Sequence, residues 1–178
     1  MRGFTLVELM VVVTIVGILS VVMVRSLTKH TESSRTVEAL TMVQSVRAAQ
    51  ERHRAMNMVY LDVSQSDTWY PRNPIPVGSG RDRHAFYMAE GAHADGARWV
   101  ALNPTVPGPV RFGYMTRSGL AGETLTEPAV VVPGLVWPEA TDSWYVIQAV
   151  ADVDGDGDFA YYLASSLNGE VYRANEGE

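Results

Sequence analysis

The 178-residue chain contains no cysteine. That excludes disulfides, thiolate metal centres and a thiol nucleophile, and leaves the compartment to be argued from other features. Positive charge is scarce: 14 Lys and Arg against 20 Asp and Glu, a formal net charge of −6. A nucleic-acid partner would need the opposite balance, so no direct nucleic-acid role is expected. No proline occurs before Pro71, so nothing obliges a helix in the first third to break. Catalytic signatures are also missing. His30, His53, His84 and His93 show no H-x-x-x-H or H-E-x-x-H spacing, and no G-x-S-x-G elbow occurs. His84 and His93 with Asp82 and Asp95 read as solvated loop residues, not a metal cluster. The expectation is a protein that is not an enzyme.

What is present is concentrated at the N-terminus. From Phe4 to Val24 run 21 residues, FTLVELMVVVTIVGILSVVMV, with one charge, Glu8, and with Arg2 and Arg25 outside. As a helix this segment rises roughly 30 Å, the thickness of a bilayer's hydrocarbon core. A cleaved secretory signal would use Arg2 as its basic start, but the run exceeds a usual h-region and no A-x-A-like site follows it. A simple single-pass anchor has no use for Glu8, because an unpaired carboxylate near the centre of a spanning helix costs about 2.5–3.5 kcal/mol. No basic residue lies between Phe4 and Val24. A counter-charge must therefore come from a chain terminus or another molecule, and cutting after Gly3 would place a new amine on Phe4, four residues before Glu8.

Gly3-Phe4-Thr5-Leu6-Val7-Glu8-Leu9-Met10 followed by VVVTIVGIL resembles the processing site and N-terminal helix of type IV pilins and pseudopilins. The resemblance implies that a prepilin peptidase cuts after Gly3 and methylates Phe4. It implies a subunit that waits as a single-pass protein in the bacterial inner membrane. Pilus or secretion machinery then assembles it with other pilin subunits into a homo- or hetero-polymer, as an extracellular pilus or a periplasm-spanning pseudopilus. In that family Glu8 would neutralise the Phe4 amine of a neighbouring subunit, making Phe4 and Glu8 the assembly residues. Many major pilins carry a helix-breaking proline where this chain has Arg25, a departure that points towards a minor or pilin-like subunit.

Beyond Arg25 the composition turns polar, while Val37, Leu40, Val43, Val46 and Ala49 recur at near-helical spacing. With no Pro or Gly from Leu27 to Met56, one helix is predicted from about Phe4 to Met56, its charged positions forming a solvated face. Strands are predicted at 98–102, 109–117, 129–132, 144–151, 159–165 and 170–173, with turns such as Pro107-Gly108 and Asn168-Gly169. Trp99, Tyr114, Trp144, Tyr145 and Tyr162 are the expected core or sheet-face aromatics. The predicted fold is α+β: a leader at 1–3, a long helix at 4–56 with a transmembrane and assembly segment at 4–24, and a head at 57–178 with an antiparallel sheet packed on the helix.

The sharpest local signal in the head is Asp152-Val153-Asp154-Gly155-Asp156-Gly157-Asp158, with carboxylates at alternate positions. Such a run can wrap oxygen ligands around calcium, and some pilins and pseudopilins have a calcium site towards the C-terminus. The twelfth position of an EF-hand would be Leu163, so this is not an EF-hand. An exposed Asp-Gly turn that binds nothing weighs evenly against a calcium site formed by Asp152, Asp154, Asp156 and Asp158. No cofactor is required for the structural role. The alternatives are a pseudopilin of a type II secretion system and a membrane-tethered calcium-binding module that never polymerises. The residues do not choose among motility, adhesion, DNA uptake and secretion.

Overall fold

The computed structural model describes residues 5–72, 83–89, 91–129, 131–152 and 157–175, without the side chains of 22 and 24–33. The first element, α1, is a 52-residue helix, Leu6–Asn57, close to the predicted span. It ends where Met58 adopts a left-handed backbone with φ 64° and donates its N–H back to the Arg54 carbonyl at 2.8 Å. The chain divides into two compact units, residues 1–36 and 37–178, which are described in turn.

In the first unit, every described side chain from Thr5 to Val21 is exposed, including Leu6, Val12, Ile18 and Leu19. The apolar residues form no stripe; they surround the helix.

In the second unit, α1 has one inward face. Ala39, Met42, Val43, Val46 and Ala49 are buried, whereas Val37 is exposed and Leu40 half-buried. The stripe is thus rotated from the one expected at Val37 and Leu40. Gln50 completes it as a buried polar residue: its amide bonds Leu61 in both directions, at 2.8 and 3.0 Å, and donates to Thr116 Oγ1 at 3.2 Å. Both ends of that side chain are satisfied, which removes the penalty for burying it.

The stripe packs on a four-stranded antiparallel sheet in the order β1-β2-β3-β4, formed by Gly113–Gly119, Trp144–Ala151, Ala160–Ser165 and Val171–Ala174. Strands β2 and β3 are buried at every position. Both faces of the sheet must therefore be covered. Tyr145, Ile147, Ala149, Tyr162 and Ala164 join the helix core, while Trp144, Val146, Val150, Tyr161 and Leu163 form a second core. Against this second core lie Leu125, Val132, Leu135, Trp137 and Ala140, all from residues 120–143 joining β1 to β2.

This arrangement corrects two predicted strands. Residues 129–132 belong to that covering connection, where Ala129 N–H is bonded to the Gln148 side chain at 3.0 Å. An apolar run suits a loop lying on a sheet as well as a strand within one. The segment at 98–102 is helical: α2, Gly96–Leu102, buries Trp99 and Leu102 at i, i+3 spacing and stops at left-handed Asn103. All five expected core aromatics are buried, and β2 has its predicted bounds. The outer edge of β1 is not free: Ser64 exchanges two bonds with Thr116 at 3.0 Å, and Tyr70 exchanges two with Tyr114.

Candidate assembly and binding sites

At the start of α1, Glu8 is paired within its own chain. Its Oε2 accepts from Thr5 N–H at 2.9 Å and Thr5 Oγ1 at 2.7 Å, and Glu8 N–H donates to Thr5 Oγ1 at 3.2 Å. This is a reciprocal capping box, legible as Thr5-x-x-Glu8 before an apolar run and missed by the sequence reading. It gives Glu8 hydrogen-bond donors within its own chain. The donors are neutral, however, so they satisfy hydrogen bonds without cancelling the charge; among the described residues only the positive end of the helix dipole offsets it. Gly3 and Phe4, the predicted cleavage and methylation positions, lie outside the described residues.

Residues 1–24 match the family model described as the prokaryotic N-terminal methylation motif. The chain opens on a prepilin signature. That signature is the one carried by type IV pilins and pseudopilins. It implies processing by a prepilin peptidase, a membrane-anchored precursor and assembly with other pilin subunits, and it points to a structural subunit. No curated protein and no solved structure matches the chain. Among the described residues no helix is long and apolar enough to cross a membrane. The segment 4–24 proposed from the sequence includes Phe4 and the side chains of Val22 and Val24, outside those residues.

Distant from the prepilin signature in sequence, the aspartate run occupies the β2–β3 hairpin loop, which closes at the Ala151–Ala160 pair. Asp152, just after β2, is buried and Asp158 is exposed. Asp154 and Asp156 lie outside the described residues. Among the described residues no group of three His, Cys, Asp or Glu could hold a metal.

His93 and Asp95 are not the solvated loop residues expected. Asp95 is fully buried and accepts from Arg98 at 2.7 Å and from the Ser66 hydroxyl. Asp95 N–H donates to His93 Nδ1 at 3.1 Å, which leaves Nε2 as the protonated nitrogen that donates to the Trp69 carbonyl at 2.9 Å. Serine, histidine and aspartate thus meet in one place, but the imidazole faces backbone groups and does not bridge Ser66 to Asp95. The arrangement fastens the 62–70 segment to α2 and lacks the wiring of a triad.

The charged face of α1 in the second unit is likewise more than a solvated surface. Arg111 reaches Glu38 at 2.8 Å with both side chains mostly buried, and its backbone N–H adds a bond at 2.7 Å. The Arg47 guanidinium donates to the carbonyls of Ser165, Asn168 and Gly169 at 2.7–3.2 Å. Arg52 donates to those of Leu102 and Asn103. These bonds hold helix, sheet turn and α2 as one body.

The sequence reading assigned no site to residues 120–143. The structure places there an open groove of about 580 Å³ lined by Glu123, Leu125, Glu127, Trp137, Pro138 and Glu139. A smaller hollow of about 270 Å³ adjoins it through Glu127 and Trp137. Val131 and Val136, 88% and 78% exposed, stand on the same connection. The available signal was length: a 24-residue connection in which the described residues form no helix or strand is uncommon inside a compact unit and usually functional.

Proposed function

We propose that the chain is a structural subunit of a type IV pilus-like extracellular filament, probed most directly at its N-terminal helix. In this reading a prepilin peptidase cuts after Gly3 and methylates Phe4, and the subunit rests in the bacterial inner membrane through residues 4–24. It then polymerises through that helix, as a minor or pilin-like component. The observation that carries the reading is the first unit itself: a helix apolar on every side, with all its described side chains from Thr5 to Val21 exposed. A helix with no polar face must be surrounded by lipid or by other helices. The methylation motif supports the same reading.

Glu8 sets the register of each incoming subunit. In a dry filament core its carboxylate is stable only opposite a positive charge, and the processed Phe4 amine of a neighbour is one. The Thr5 cap holds the side chain before that partner arrives. As a subsidiary proposal, Asp152, Asp154, Asp156 and Asp158 ligate calcium at the β2–β3 loop; the all-oxygen donor set suits a hard cation.

The test is to shear filaments from cells expressing wild type or Glu8→Ala and to sequence the mature N-terminus. The expected outcome is methylated Phe4 as first residue and sheared subunit lost in the variant. A mature chain beginning at Met1 or after Val24, or a variant that assembles normally, would sink the reading.

A further inference from the structure

The second unit is electrostatically lopsided once its internal pairs are set aside. Arg54, Arg98, Arg111 and Arg117 each have a carboxylate partner. Exposed Arg52 is taken up by the Leu102 and Asn103 carbonyls, whereas Arg72, facing the His84 ring at 3.5 Å, and Arg83 are exposed with no carboxylate partner among the described residues. Both flank the start of β1, because Tyr70 pairs with Tyr114 and His84 with Val110. The acidic groups without a basic partner among the described residues include Glu123, Glu127 and Glu139, which line the 580 Å³ groove. Glu123 caps the turn after β1 by accepting from Leu120 N–H at 2.7 Å, and Gly122 is bonded to Ala140, so Glu123 and Glu139 sit at the finish of that strand. About 20 Å of strand separates the two ends.

We propose that heads of neighbouring copies dock end to end, the acidic groove of one receiving the Arg72 and Arg83 guanidinium groups of the next. The chemistry is matched on both sides. A guanidinium stacks on an indole face while its N–H groups engage carboxylates, and the groove supplies Trp137 together with three glutamates. The exposed Val131 and Val136 add apolar area beside the charges. An anionic lipid surface or a nucleic acid would be repelled by the same glutamates.

A second copy is the occupant because both halves of the contact belong to one chain, at opposite ends of one strand. A contact between two different patches is heterologous and repeats from copy to copy without closing into a dimer. It also answers the net charge of −6, which otherwise pushes copies apart. The proposal rests on the filament reading only in that a filament brings many copies side by side.

The test uses the purified full chain in detergent micelles, with self-association followed by sedimentation. Glu127→Arg/Glu139→Arg and Arg72→Glu/Arg83→Glu should each weaken association at least tenfold, and the four changes together should restore it. Association of the wild type should also fall steeply with salt. Because the chain has no cysteine, Ala85→Cys with Val136→Cys should give on oxidation a ladder of linked oligomers, and either change alone no more than dimers. Failure of the fourfold charge exchange to restore association, charge reversals without effect, or no ladder from the paired cysteines would overturn the proposal. Glu8→Ala should leave the ladder intact, so loss of the ladder with filaments intact condemns this contact alone. A ladder from the paired cysteines with no subunit in the sheared fraction of wild-type cells, or with Glu8→Ala assembling normally, condemns the filament reading alone.

Discussion

Two stretches of the same helix, 5–21 and 37–57, show how one secondary structure serves two ends. The first is apolar on every side and none of its described side chains is buried; the second buries one stripe and sends arginine and glutamate to partners elsewhere in its unit. Hydrogen bonding along the backbone is the same in both. What differs is the angular spread of apolar residues, and that spread determines whether a helix completes a core within its chain or needs company from outside.

The comparison is broken most forcefully by matched truncations. Met42→Ala, in the buried stripe of the second stretch, should cost about 2–5 kcal/mol of head stability in denaturant unfolding. Val12→Ala in the first stretch should change it by less than about 0.5 kcal/mol, the usual range for an exposed position. Equal losses would mean that the two stretches share one core.

Next in size is Glu38→Ala, which strips the charge partner from the mostly buried Arg111 and should cost about 3 kcal/mol. Glu8→Ala in the first stretch, which removes an exposed carboxylate held only by the neutral donors of Thr5 among the described residues, provides the contrast for that measurement.

The third prediction uses pH. Burial raises the hydroxyls of Tyr114, Tyr145 and Tyr161 above the ordinary tyrosine range. A group raised in the folded state stabilises fully below its unfolded value, near 10, and that contribution is lost as pH climbs towards the folded one. The head should therefore lose stability above about pH 10, with tyrosinate absorbance appearing together with unfolding. The first stretch has no tyrosine and should retain its helix signal. Tyrosinate formed without unfolding would contradict the burial of these rings.

The smallest effect concerns the surface pair Asp142 and Arg54, 2.5 Å apart. The Ser143 N–H and then Arg54 hold the Asp142 carboxyl below its usual range. Its contribution is therefore present at neutral pH and disappears as pH falls through the lowered value. Asp142→Asn should be slightly less stable than wild type at pH 7 and indistinguishable from it at pH 2. Calorimetry of the full chain at millimolar calcium, repeated with Asp154→Ala and Asp156→Ala, decides the hairpin-loop proposal.

Much of the fold was legible because period and composition report it directly. The long helix followed from an absence of Pro and Gly, and β2 from a run rich in aromatic and β-branched residues. Other features depended on partners remote in sequence. Nothing local distinguishes 129–132 as cover from 129–132 as strand; the Gln148 side chain that occupies the Ala129 N–H does. The burial of Asp95 likewise depends on Ser66 and Arg98 coming together. In the candidate site, Thr5 and Glu8 could have been read as a cap from spacing alone, whereas the groove at Glu123, Glu127 and Glu139 exists only once residues 120–143 fold over the sheet.

The side-chain bonds from Glu38, Ser45, Arg47, Gln50, Arg52 and Arg54 to the rest of the second unit have a mechanical meaning. They are spread along about 24 Å of helix. A pull along the helix axis loads them side by side, in shear, so no single bond carries the whole force and none can open ahead of the others as in a zipper. A subunit fastened in this way can transmit tension through its helix while its sheet keeps its shape.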